Sequence, residues 1–253
     1  IPANFPISNE IFRKTKEFAS DDLTRAMAAG RVFMSDYKEL NDVVSGMHPL
    51  QKKYIYQPII AFAVPENASN MVPFAIQCGQ IPASFPIFTP VDDWAWQMAK
   101  GTAWAAHYTY HELITHLGVT HLLIEPIAIA TRRQLHDFHP ISRLLNQHFE
   151  GTMLINSLAV SSLIQEGQAV DRLVGSSLAT NFTFLAKTRL NYSFSQNFLP
   201  VRLKARGLTS KKALPTYHYR DDAIPIWNAI RTWVGKYVDR YYNGDAEVKA
   251  DFE

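Results

Sequence analysis

Residues 92–125 contain no proline, and their only glycines are Gly101 and Gly118. A run of about thirty residues without a breaker is more than twice the length of an ordinary helix, and it is read as one long helix ending at Pro126. Trp94, Trp96 and Trp104 mark its first half, and His111, His116 and His121 follow at intervals of five. That interval is the constraint. On a regular α-helix five residues turn through about 500°, so successive histidines stand about 140° apart and cannot share an ion. A π-type turn, bonded from i to i+5, makes a five-residue step nearly one full turn and points two imidazoles the same way. The spacing therefore predicts either three unrelated histidines, hydrogen-bonded in the core or at the surface, or a helix widened locally to hold a metal.

A zinc-protease helix needs two histidines four apart flanking a catalytic glutamate. Here Glu112 follows His111, but Thr115 occupies the second histidine's place and His116 comes one residue late. Geometry excludes that reading.

Of the 253 residues, 47% are hydrophobic and 11 are glycine, enough for one sizeable core and a single domain. No uninterrupted run of about 18 apolar residues is found, so no membrane span is expected. The opening IPANFPISNE has neither an initiator Met nor a secretory pattern, and is read as a processed or truncated start. Cys78 is the only cysteine, which excludes a disulfide within the chain and fits a cytoplasmic setting, at most peripheral to a membrane.

In chain order, Ser20, Asp21 and Asp22 cap a short helix over residues 23–29 that Gly30 stops, and residues 31–37 read as a strand. Residues 54–64 and 71–77 are β-rich runs joined by a turn, a hairpin. A proline-rich link over 81–90 leads into the long helix. Beyond Pro126, residues 127–136 and 141–148 read as separate helices divided at His139-Pro140. Residues 153–164, 176–190 and 223–242 read as three more, the last amphipathic through Trp227, Ile230 and Trp233. The expected fold class is mainly α, with a small antiparallel β element near the N-terminus.

No acidic residue occurs from Arg172 to Arg220, while Arg172, Lys187, Arg189, Arg202, Lys204, Arg206, Lys211, Lys212 and Arg220 are basic. Either this is a solvated face whose acids lie elsewhere in the chain, or it attracts an anionic fatty acid or lipid surface. The aromatics of the region form no RNA-recognition signature, and nucleic acid is not expected as a partner.

Separated blocks, in order, carry a resemblance. YHELITHLGVTHLLIEPIAIA (110–130) runs on into TRRQLHDFHPISRLL (131–145), followed by TMLINSLA (152–159), FLPVRLKARG (198–207) and IWNAIRTWVGKYVDRYY (226–242). Together they resemble the catalytic domain of lipoxygenases, most of all the short bacterial, cyanobacterial-type members without an N-terminal β-barrel. The resemblance covers most of the chain. It implies a helical bundle around the long central helix, with residues 1–253 forming the N-terminal part of one catalytic domain.

The resemblance also implies chemistry. One non-haem iron (Fe2+/Fe3+) would be held in part by His116 and His121, while His111 matches a histidine that is not a ligand. Glu112 matches a residue behind the ligands that links them to the substrate pocket by hydrogen bonds. No catalytic group beyond a metal-bound hydroxide is implied. In the family that hydroxide takes a hydrogen atom from a doubly allylic CH2 of a polyunsaturated fatty acid of linoleate, linolenate or arachidonate type. O2 then adds on the opposite face of the pentadienyl radical to give a hydroperoxide. Leu163 matches a clamp over the reacting carbon and Leu113 a residue beside the oxygen route. Ala159 matches a position where alanine usually accompanies S products.

The sequence also departs from the family. The remaining ligands there are a third histidine, an Asn or His four residues later and a C-terminal Ile carboxylate. Here the one histidine beyond His148 is His218, with no Asn four residues on. The missing ligands are expected from a C-terminal segment or a second fragment, and the free 253-residue chain is expected to be inactive. Two other readings remain: a lipid-binding remnant without catalysis, and a zinc hydrolase, which wants a third ligand.

Overall fold

The long helix forms, and it runs further than its sequence signal. In the computed structural model, which describes residues 1–48 and 50–251, α3 (Asp93–Tyr110) passes into a π-helix (His111–His121) and on into α4 (Leu122–Gln134). Its start is fixed upstream, where the Thr89 N–H and hydroxyl both donate to the Asp92 carboxylate, at 2.7 and 2.9 Å. Pro126 does not end the helix, and residues 127–134 are the rest of α4 rather than a new element. Proline brings no N–H at this point, so the helix forgoes one i to i+4 bond and still continues to Gln134.

The same element has no uninterrupted apolar run, yet it is apolar on average. An 18-residue window within Pro90–Gln134 reaches a mean hydropathy of 1.5, long and apolar enough by length and composition to cross a bilayer. Scattered His, Glu and Thr residues break any continuous apolar run without lowering that average much.

Upstream, α1 (Asn9–Arg13) and α2 (Leu23–Ala28) precede a four-stranded antiparallel sheet in the order β1 (Val32–Asp36), β2 (Ile59–Ala63), β3 (Val72–Gln77) and β4 (Ile87–Phe88). The hairpin lies where expected, whereas β4 is a strand inside the segment read as a link. Asp22 alone caps α2, accepting from Arg25 N; Asp21 instead pairs with Arg25 and Arg31. Gly30 takes a φ of +70°, the left-handed conformation that ends the helix.

The unbroken apolar sequence of β2, IIAFA, has a simple cause: both of its faces are covered. Ile59, Ala61 and Ala63 face Phe12, Phe18 and Phe74, while Ile60 packs with Ile76 of β3 and with Trp96 and Ala99 of α3. The register shifts between Ala61 and Phe62, and Phe62 stands opposite Pro73, a residue that brings no N–H to the ladder. The sheet is thus clamped between the N-terminal segment and the long helix, and it anchors that helix at its first turns.

Beyond α4 come α5 (Pro140–Asn146), α6 (Thr152–Ser162), α7 (Ala169–Leu173), α8 (Leu178–Leu190), α9 (Leu199–Ala205), α10 (His218–Val238) and α11 (Asp245–Ala250). Helices α7, α9 and α11 were not foreseen, and α10 starts five residues early because Asp221 accepts the Tyr217 N–H and pins its first turn. Helix α8 packs on the π-helix, with Phe184 and Leu185 against Leu113 and Ile114. A Cβ on Gly118 would lie 3.2 Å from both the Leu113 carbonyl and Leu185, so glycine sets how closely α8 approaches.

The basic segment is not a uniform cationic face. Lys187 pairs with Asp42 and Lys211 with Asp221, while Arg220, 4% exposed, donates to the carbonyls of Leu208, Leu214 and Pro215.

Candidate metal centre and substrate cavity

Widening of the helix brings the histidines together. The Leu122 N–H donates to Leu117 O, an i to i+5 bond, and the π geometry extends from His111 to His121. Nε2 of His116 and Nε2 of His121 stand 3.3 Å apart. Behind each ring is an acceptor. His116 Nδ1 is 3.0 Å from a Glu112 carboxylate oxygen, and His121 Nδ1 is 2.8 Å from Asn156 Oδ1 on α6. With Nδ1–H donated to these groups, each Nε2 presents a bare lone pair toward the other.

Two lone pairs so placed repel unless a cation lies between them. Two nitrogens each about 2.1 Å from one ion and roughly at right angles would stand about 3 Å apart. The imidazole pair therefore fits part of a metal site. Among the described residues no group of three or more His, Cys, Asp or Glu side chains is arranged to hold an ion. His111 lies apart from the pair, its ring 6.3 Å from that of His116 and its Nε2 3.9 Å from Glu112.

A cavity of about 370 Å3 opens beside these rings, and Glu112, His116 and His121 line it together with Ala159 and Leu163. Its opposite wall is apolar: Ile155 from α6, and Val170 and Leu173 from α7. Tyr108 adds a hydroxyl at the rim, pushed up from the ordinary tyrosine pKa by burial and then by Glu112, so it stays a neutral donor.

Leu113, expected in the substrate pocket, lies outside this cavity. It is 1% exposed and packs with Leu40, Phe184 and Leu185 on the other side of the helix, outside the cavity wall. Three residues on a π-helix fall well short of a turn, so Leu113 cannot share the face of His116, whereas Glu112, four residues away, nearly does. Sequence reasoning missed Asn156, Glu125 and the whole of α7. The available signal for Asn156 was a lone amide in the mostly apolar TMLINSLA.

The site is thus a π-helix presenting paired imidazoles to an apolar cavity, on a mainly helical domain with a small antiparallel sheet. The chain belongs to the lipoxygenase family, whose family model, described as Lipoxygenase, matches residues 7–253. A linoleate 9/13-lipoxygenase of Pseudomonas aeruginosa is 39% identical over 263 residues, covering 100% of this chain and 38% of that protein. A calcium-dependent 11R-lipoxygenase has the same fold, with a TM-score of 0.89 at 35% identity over 98% of this chain and 36% of the other. A lipoxygenase crystallised anaerobically with arachidonate superposes with a TM-score of 0.92 at 32% identity, over 99% of this chain and 38% of the other. The chain thus spans under two-fifths of the length of each of these three relatives.

Proposed function

We propose that this chain supplies two metal ligands and one wall of the acyl pocket of a dioxygenase that converts polyunsaturated fatty acids to hydroperoxides. The observation that carries this reading is the convergence of His116 Nε2 and His121 Nε2 at 3.3 Å on the edge of an apolar cavity of about 370 Å3. The family, and the fatty acids named for its relatives, support the substrate class.

Imidazole donors suit iron. His116 and His121, with ligands from outside the described residues, would hold the iron, which would supply one-electron oxidising power toward a doubly allylic CH2. This chain's own contribution is position. An acyl chain has many rotamers, and the apolar wall of Ile155, Ala159, Leu163 and Val170 confines it so that one CH2 lies next to the imidazole pair. Glu112 and Asn156 hold the imidazoles with their free nitrogens toward the cavity.

The test uses the whole protein that carries this chain. Metal analysis is combined with conjugated-diene formation from linoleate under O2. One tightly bound iron per chain and diene formation, both lost on His121→Ala, are expected. Zinc or no metal, or diene formation that survives His121→Ala, would reject the reading.

A further inference from the structure

We infer that Asn156 is a positioning residue for His121, and that Glu125 holds its amide in the one orientation that serves this purpose. The inference deepens the reading above and rests on His116 and His121 being metal ligands. Asn156 is 5% exposed in α6, surrounded in sequence by Ile155, Leu158 and Ala159. A buried amide in such a helix is costly unless its atoms are satisfied. Here both ends are.

The amide Nδ2 donates to a Glu125 carboxylate oxygen at 2.6 Å and to the His121 carbonyl at 3.3 Å, groups that accept and do not donate. That fixes which end of the amide faces the ring. Oδ1 is left 2.8 Å from His121 Nδ1, and because an amide oxygen only accepts, Nδ1 carries the proton. A neutral imidazole has one N–H, so Nε2 keeps its lone pair, aimed toward His116 Nε2. The flipped amide would offer N–H groups to Nδ1 and select the opposite tautomer, with a proton at the nitrogen a metal needs. Glu125 opposes that flip, since it would set two oxygens against each other at 2.6 Å.

His116 is served differently, by Glu112 four residues earlier on its own helix. Only His121 depends on another element. Because Ile155 and Ala159 line the cavity on either side of Asn156, the same helix holds both the acyl wall and the histidine's orientation.

The decisive comparison, made in the whole protein, is between Asn156→Leu and the exchange variant Asn156→Asp with Glu125→Gln. Leucine keeps the size and removes the acceptor. The exchange keeps total charge, keeps an oxygen facing His121 Nδ1 and restores the bond between positions 125 and 156 with donor and acceptor swapped, giving up only the longer 3.3 Å bond from position 156 to the His121 carbonyl. Two quantities are read: the rate of iron release to a chelator, and the His121 tautomer by nitrogen NMR of the metal-free protein. Asn156→Leu should release iron about 10- to 100-fold faster and show mixed tautomers, while the exchange variant keeps the Nδ1–H form and releases iron within a few-fold of wild type. Wild-type release and tautomer in Asn156→Leu would overturn the inference. So would a folded exchange variant that loses the Nδ1–H form, which decides the matter even if Asn156→Leu does not fold. A wild-type protein that takes up no iron would sink the metal reading, and the tautomer spectra would still judge Asn156.

Discussion

His116 and His121 stand five residues apart in sequence, yet their Nε2 atoms are 3.3 Å apart, because the backbone between them is a π-helix. Each has its other nitrogen against an acceptor, at 3.0 and 2.8 Å. The pair is therefore built as a unit, with His111 outside it.

This sets the pattern of metal loss. In the whole protein, His116→Ala or His121→Ala should abolish iron retention after dialysis against a chelator, while His111→Ala leaves iron content at the wild-type level. Equal loss in all three variants would show that the structure misplaces the centre.

Leu163 and Ala159 share the cavity with the imidazoles, so changes there should alter the handling of substrate and leave the metal alone. Ala159→Phe fills the space where an acyl chain would lie, and KM for linoleate should rise about tenfold or more. Leu163→Ala removes a branched side chain from the cavity wall, and kcat is expected to fall by about 10- to 100-fold through poorer positioning of the acyl chain. Steady-state kinetics with metal content measured on the same samples would check both.

Asp21 gives a pH signature. Burial pushes its carboxyl up, but hydrogen bonds from Arg31, the Asp22 N–H and Arg25 outweigh this and hold it at about 2, below the ordinary 3.8. A carboxylate depressed in the folded state contributes stability that is complete above its unfolded pKa of about 4 and is lost as pH falls through about 2. Asp21→Asn should cost about 2 kcal/mol at neutral pH, and its gap from wild type should close between about pH 4 and pH 2. Urea unfolding across that range measures it.

The N-terminal core should respond to truncation much more strongly than the surface. Phe12 stacks on Phe18 at 4.5 Å and meets Phe74 edge-on at 5.0 Å, with all three fully buried. Phe12→Ala removes those contacts and leaves a void, so a loss of about 3–5 kcal/mol is expected in chemical unfolding.

What the sequence determined by itself is periodic or local. A breaker-free stretch specifies a helix, a five-residue interval restricts its histidines to divergence or a π-turn, and β-rich runs around a turn specify a hairpin. The separated blocks from Tyr110 to Tyr242 also carried the family resemblance. Local pattern could not choose between the two outcomes for the histidines, since that choice depends on what packs against the helix. Gly118 and Leu185 set the approach of α8 on one side, and on the other α6 delivers Asn156 to His121 across 35 residues of chain. Tertiary structure alone decided that Leu113 turns into the core and that α7 lines the cavity. Each depends on contacts between segments distant in sequence, where side-chain packing and hydrogen-bond partners, rather than intrinsic helix or strand preference, fix the lowest free energy.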